Sequence, residues 1–198
     1  MMGKTHTACG IASALVITRP ETVPGVLGAV TFGALGGLIC DADVFSINHH
    51  LTKVTKPIVF LACAVLLIII IDSIFRIGLL GIISRYISIQ QITGFVLFLA
   101  VCIISMFTDH RSFAHSLLAL LIETFCFMLM YGPVAKYFAI GFISHILLDM
   151  LNKMPVRIFF PAKKGFCLKL CVADGTVNSI LLVVGTIISV IAAALCLV

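Results

Sequence analysis

Charge is scarce in this sequence. Of 198 residues only 11% are Asp, Glu, Lys or Arg, against roughly a quarter in an ordinary soluble domain. Hydrophobic residues make up 62% and the mean hydropathy is +1.26. A water-soluble globule cannot hide that much apolar surface, so lipid must be part of the solvent. A soluble enzyme, a disordered protein, a coiled coil and a secreted disulfide scaffold are excluded. Also missing are internal repeats, a low-complexity linker and a secretory signal peptide. The first apolar run is interrupted by His6, Ser13 and Thr18 and has no small-residue cleavage site. Residues 1–198 therefore read as one integral-membrane domain. The net charge of +5 is spread through short loops, which argues against a nucleic-acid partner and is better read as topology information.

Cysteine is plentiful but mostly silent. Cys9, Cys40, Cys63, Cys102, Cys126 and Cys196 are read as small hydrophobes, most of them inside apolar runs. Cys167 and Cys171 share a polar loop, and their spacing would suit a zinc pair on a helix, but no further ligand stands nearby.

Six stretches approach the ~20 apolar residues of a spanning helix: Val26–Cys40, Ile58–Ile71, Ile92–Phe107, Phe113–Met130, Val134–Leu151 and Val177–Val198. A seventh, His6–Thr18, is short and reads as a half-span or re-entrant helix, with Arg19–Gly25 as the turn that follows it. Ser73–Ser88, where Arg76 and Arg85 interrupt an apolar pattern, reads as an interfacial amphipathic helix. The expected fold is all-α, a polytopic transmembrane bundle of about six to seven helices. Alternating the spans puts Lys4, Lys53, Lys56, Arg111, Lys153, Arg157, Lys163, Lys164 and Lys169 on one side and Arg19, Arg76, Arg85 and Lys136 on the other. The positive-inside rule makes the first side cytoplasmic.

Ionisable residues at membrane depth are costly and usually face a polar cavity. Here they fall at one end of the bundle. His6 opens the first helix, and Asp41 and Asp43 close the second. Asp109, His110 and His115 straddle the start of the Phe113–Met130 stretch, and His145 and Asp149 lie near the end of Val134–Leu151. Taken singly, each has a plain alternative. His145 and Asp149 could be a hydrogen-bonded pair on one helix face, Asp41 and Asp43 a solvated helix end, His6 a surface histidine, and His110 and His115 interfacial residues. Together those alternatives need every group to reach the same side by accident. His49 and His50 have no partner spacing and read as solvated loop residues.

Imidazole and carboxylate suit zinc and related divalent ions. His145 and Asp149, four residues apart, would supply two ligands from one helix face. His6, Asp41 and His115 would complete the set from other helices. Such a metal site supports hydrolysis, in which a second carboxylate bridges metals or takes a proton from water.

At these residues the sequence resembles the YdjM-type membrane-bound, metal-dependent hydrolases of bacterial and archaeal inner membranes. Three blocks carry the resemblance: Gly36–Asp43, ending in Cys40-Asp41-Ala42-Asp43 where the family reads Pro-Asp-Ile-Asp; His110–Leu118, beside His-Arg-Gly-Phe-Thr-His-Ser-Leu; and Gly141–Leu151, beside Gly-Tyr-x-Ser-His-x-x-x-Asp-x-Leu. Thr5-His6 and Phe159-Phe160-Pro161 also fit. The order of histidines and aspartates is similar, more distantly, to the zinc-dependent phospholipase C group. The resemblance implies a phosphoester hydrolase in the inner membrane, with metal ligands at His6, Asp41, His115, His145 and Asp149. The chain departs from the pattern at Cys40, Ser112 and Ala114, at Asn178 where the family often has glutamate, and in an apolar insertion Ile58–Phe107.

The expected function is metal-assisted hydrolysis at the cytoplasmic face, zinc being the first-choice cofactor. Asp41 would act as ligand or bridging carboxylate and Arg111 as a clamp on an anionic substrate group. His145 lies ~9 Å inside its helix end, so the metal would sit near headgroup level, which favours a lipid phosphate over a soluble ester. Two rivals remain open: a transporter of metal ions or protons, and a non-catalytic scaffold with a structural metal site.

Overall fold

The structure, a computed structural model, describes residues 1–43 and 87–197. The expected span Ile58–Ile71, most of Ser73–Ser88, and the residues His49, His50, Lys53, Lys56, Arg76 and Arg85 lie outside the described residues. The described helices are α1 (Gly3–Thr18), α2 (Val23–Ile39), α3 (Ile89–Met106), α4 (Leu117–Met150) and α5 (Thr176–Leu195), with 3-10 turns at Cys40–Asp43 and Phe113–His115. No strand occurs among the described residues, only isolated bridges pairing Asn152 with Cys171 and Val156 with Phe166. Helices α3, α4 and α5 are long and apolar enough to cross a membrane, and α2 is apolar but shorter. Of the six to seven spans expected, the described residues thus offer three long helices and one shorter one.

Local chemistry sets the helix ends. α1 stops where Arg19 turns left-handed at φ 42° and its N–H reaches the Leu15 carbonyl at 2.9 Å, with Pro20 next. α2 starts three residues earlier than the apolar run suggests. Thr22 caps it by accepting from the Gly25 N–H at 3.2 Å, and Pro24 falls in the first turn, where a missing N–H costs nothing. α3 opens on a capping box: the Gln91 N–H donates to the Ser88 hydroxyl at 3.2 Å and the Ser88 N–H to the Gln91 side chain at 2.9 Å.

The expected helices Phe113–Met130 and Val134–Leu151 are both present, as the two halves of α4, which folds back on itself at a kink. Tyr131 has non-helical angles (φ −160°, ψ 92°) and Pro133 follows, removing a helical donor. The ring centroids of Phe127 and Phe138 are 4.3 Å apart, whereas eleven residues of straight helix would separate them by ~16 Å. The two halves therefore run antiparallel. The first half starts later than the sequence suggested because Phe113–His115 is a 3-10 turn, after which Ser116 caps the helix through the Ala119 N–H at 3.1 Å.

Phe98, Phe127, Phe138 and Phe142 form the aromatic centre of the core. Around them helices meet backbone to backbone. A side chain built on Gly141 would strike the Gly33 carbonyl, and one on Gly37 would come within 2.6 Å of the His6 carbonyl. In lipid, where apolar burial does not drive helices together, such small-residue contacts supply the close packing. Residues 151–175 between α4 and α5 are not helical, so Cys167 and Cys171 do not share a helix face. Cys171 is buried with its thiol 3.4 Å from the Leu151 carbonyl, and both are free thiols.

Candidate metal centre

Five side chains converge at one end of the bundle. His6 comes from the first turns of α1, Asp41 from the 3-10 turn after α2, and His115 from the 3-10 turn before α4. His145 and Asp149 come from the last turns of α4. The reversal at Tyr131 carries His145 back to His115, 30 residues away in sequence. His6, His115, His145 and Asp149 are fully buried, while the Asp41 side chain is 28% exposed. The cluster therefore opens outward at Asp41.

One backbone contact sets the chemistry of His145. Its Nδ1 lies 2.8 Å from the Gly37 carbonyl. A carbonyl only accepts, so Nδ1 carries the proton and Nε2 presents a lone pair. That Nε2 is 3.2 Å from His115 Nε2 and 3.7 Å from Asp41 Oδ1, and His115 Nε2 is also 3.7 Å from Asp41 Oδ1. Ligands at ~2.0–2.1 Å from a tetrahedral zinc are separated by about 3.3 Å. The three donors have nearly the spacing of one face of such a tetrahedron. Burial alone would raise the Asp41 carboxyl, but the imidazoles of His115, His145 and His6 outweigh it and hold the group at about 2. At neutral pH Asp41 is an ionised donor.

A second group adjoins the first. One ligand atom each from His6, His145 and Asp149 lies within 4.8 Å of the others. The His6 ring stacks on His145 with centroids 3.8 Å apart, and its Nε2 is 3.3 Å from Asp149 Oδ1. Neither His6 nitrogen makes a hydrogen bond among the described residues although the residue is fully buried. Buried polar atoms left in that condition are costly, and a cation held by His6 and Asp149 would satisfy one of the two His6 nitrogens. This donor set and these orphaned atoms fit a divalent metal.

Asp149 is the electrostatic hub. Its Oδ1 also meets the Met1 ammonium at 2.6 Å, and its Oδ2 lies 3.1 Å from Arg111 Nη2 and 3.6 Å from His115 Nε2. Arg111 is buried and sits in the left-handed region at φ 64°, a conformation that costs a non-glycine residue energy. Its other terminal nitrogen donates to the Met154 carbonyl at 2.9 Å. The structure thus places Arg111 against Asp149, beneath the donors. Asp109 is exposed and pairs with Arg157 at 3.2 Å, outside the cluster, and the exposed His110 stands edge-on to the His115 ring at 5.2 Å.

Two further residues support the cluster, and α4 carries one more buried acid. Gly37 acts through its carbonyl, and the Gly36-Gly37 pair before Asp41 is the trace it leaves in sequence. Asn178, noted only as a departure, accepts from the Thr5 hydroxyl at 2.8 Å and the Met2 N–H at 3.1 Å, tying the start of α1 to α5. Glu123 is buried within α4 with Oε2 unsatisfied among the described residues. Its signal was a lone acid in an apolar run. A cavity of about 700 Å³ lies at the far end of α1, lined by Leu15, Arg19, Glu21, Leu195 and Cys196, remote from the donors.

No curated protein and no solved structure matches the chain. The family described as YdjM inner membrane protein matches residues 1–198, and the chain belongs to that family.

Proposed function

We propose, for a multi-pass inner-membrane protein of the YdjM family, that the buried histidine and aspartate cluster is the metal centre of a phosphoester hydrolase. The observation that carries this reading is the donor triangle of Asp41, His115 and His145, with edges of 3.2, 3.7 and 3.7 Å. His6 and Asp149 stand beside it as donors for a further ion. A divalent ion, zinc by donor type, would acidify a water and neutralise charge growing on a phosphoryl oxygen.

The chain's own groups divide the remaining work. Asp41, ionised and partly exposed, is the carboxylate in reach of an arriving water and substrate; with Oδ1 a donor of the triangle, its Oδ2 is the atom left to accept a hydrogen bond from the water and orient it. Gly37 holds the His145 tautomer, and Arg111 holds Asp149 in orientation. The burial of His6, His115 and His145 keeps bulk water away from the reacting groups. Because the cluster lies at helix ends, a substrate phosphate would be met at headgroup depth, which supports a lipid phosphate. The same placement speaks against transport, where sites near the midplane are usual.

The test is metal content and turnover together. Purified wild type should carry stoichiometric metal and cleave a lipid phosphate, and His145→Ala and Asp149→Ala should lose both. Turnover of soluble phosphoesters alone, abolished in His145→Ala, would keep the hydrolase and discard the lipid. Stoichiometric metal without turnover of either class would leave a structural site. Full metal occupancy in both variants would reject the centre.

A further inference from the structure

The segment 151–175 joins α4 to α5, two helices long and apolar enough to span a membrane. Both of its ends therefore lie at the membrane boundary. The segment is pinned there. The Leu168 N–H donates to the Met150 carbonyl at 2.7 Å, and the Leu170 and Cys171 N–H groups to the Leu151 carbonyl at 2.9 and 3.1 Å. These bonds hold residues 168–171 level with the last turn of α4, so the loop cannot rise far from the surface.

Its side chains sort into two chemistries. Leu168, Leu170 and Val172 alternate with the buried Cys171 and are exposed, Leu170 by 71%. Met154 and Phe159 are exposed as well. Beside them stand Lys153, Lys163, Lys164 and Lys169, all exposed and without an acidic partner among the described residues, while Arg157 is engaged by Asp109. Asp174 is the one acid between residues 151 and 175. Apolar side chains with unpaired lysines, held at a boundary, match the anatomy of a segment that lies in the interface of an anionic leaflet.

We propose that residues 151–175 form an interfacial anchor that binds anionic phospholipid, with Leu168 and Leu170 in the acyl boundary and Lys163, Lys164 and Lys169 on the headgroups. The charge of the patch fits the phosphate of a lipid, and the apolar side chains interleaved with it have no use for a free anion or a nucleic acid. This anchor stands apart from the proposed hydrolysis. It also touches the metal centre: the Met154 carbonyl accepts from Arg111, and the Arg157 N–H donates to the Arg111 carbonyl at 2.9 Å. A lipid gathered by the loop is thus gathered next to the residue that braces Asp149.

The chain contains no tryptophan, so Leu168→Trp introduces a single indole at the proposed depth, and Leu170→Trp serves if the first variant fails to fold. Each protein is reconstituted into phosphatidylcholine bilayers carrying the same small fraction of either brominated phosphatidylglycerol or brominated phosphatidylcholine. The expected result is quenching by both, stronger with the anionic lipid by about fivefold in effective local concentration, one lysine's worth of attraction. The preference should vanish in Lys163→Gln/Lys164→Gln/Lys169→Gln and weaken with salt. Water-exposed emission untouched by either lipid overturns the anchor. So does equal quenching by the two lipids, or a preference removed by millimolar inorganic phosphate at constant ionic strength. These readouts need no turnover and no metal, so the anchor can fail while the metal centre survives, and the reverse.

Discussion

The Nδ1 of His145 lies 2.8 Å from the carbonyl oxygen of Gly37, and the two residues depend on one another. The carbonyl fixes which histidine nitrogen is free to bind a metal. The absent side chain of Gly37 lets α1 pass close enough for the His6 ring to stack on His145. Orientation of a ligand histidine by a carbonyl on its second nitrogen is a common partner of metal sites.

Gly37→Val should damage stability and metal binding together. Its first added carbon would stand 2.6 Å from the His6 carbonyl, forcing α1 off α2 at a cost of about 1–3 kcal/mol. Thermal unfolding in detergent, read beside elemental analysis, checks this. A variant with wild-type melting and full metal would show that the close approach is dispensable.

Arg111→Gln keeps every donor yet removes the cation on Asp149. Metal affinity should fall by roughly 10–100-fold, the usual effect of losing an outer partner of a ligand. Chelator competition measures it. Arg111→Lys should recover part of the loss, because it restores the charge but not the simultaneous reach to Asp149 and the Met154 carbonyl.

Asn178→Ala removes the side-chain acceptor of the buried Thr5 hydroxyl and of the Met2 N–H, leaving the hydroxyl only a longer 3.4 Å contact to the carbonyl of residue 178. About 1–3 kcal/mol of stability should go for the group left unsatisfied, with the first turns of α1 loosened. Faster hydrogen exchange over residues 2–8, with little change in α3, is the expected pattern. Uniform change across all helices would assign Asn178 to global packing instead.

Labels should reach the basic loop and Lys136 from opposite faces of the membrane. Single cysteines placed at position 163 and position 136 of a cysteine-free chain can be tested with an impermeant thiol reagent. Position 163 should react from the cytoplasmic face and position 136 from the other. Reaction of both from one face would break the charge argument for orientation.

The parts legible in the sequence are those set by short spacing or composition. His145 and Asp149 declare themselves by a one-turn interval on an apolar helix. The reversal inside α4 shows as Gly132-Pro133 between two apolar runs, and the two helices expected on either side of it are its two halves. The shift at the start of α2 was hidden because Pro24 reads as a helix breaker in isolation and is harmless in a first turn. Contacts made through backbone or across long intervals are not specified by residue type. Any residue has a carbonyl, so Gly37 looks like packing alone. The Thr5 and Asn178 pair spans 173 residues, a distance over which spacing carries no geometric meaning. Arg111 reads as a loop charge free for substrate, and only its left-handed backbone and burial reveal that Asp149 claims it.

The fold-back at Tyr131 has a bearing on how the protein is made. Residues 117–150 emerge from the ribosome as two apolar stretches separated by a short break, suited to enter the bilayer as a closed pair. Entering so, the stretches would bring His115 and His145 to the same surface in a single event. His6, synthesised first, must wait for that pair, and its docking closes a loop of well over a hundred residues, an entropic cost that grows only slowly with length. The order of assembly would then be hairpin before cluster, and a nascent chain halted before Pro133 would hold His6, Asp41 and His115 without His145 and Asp149 to receive them.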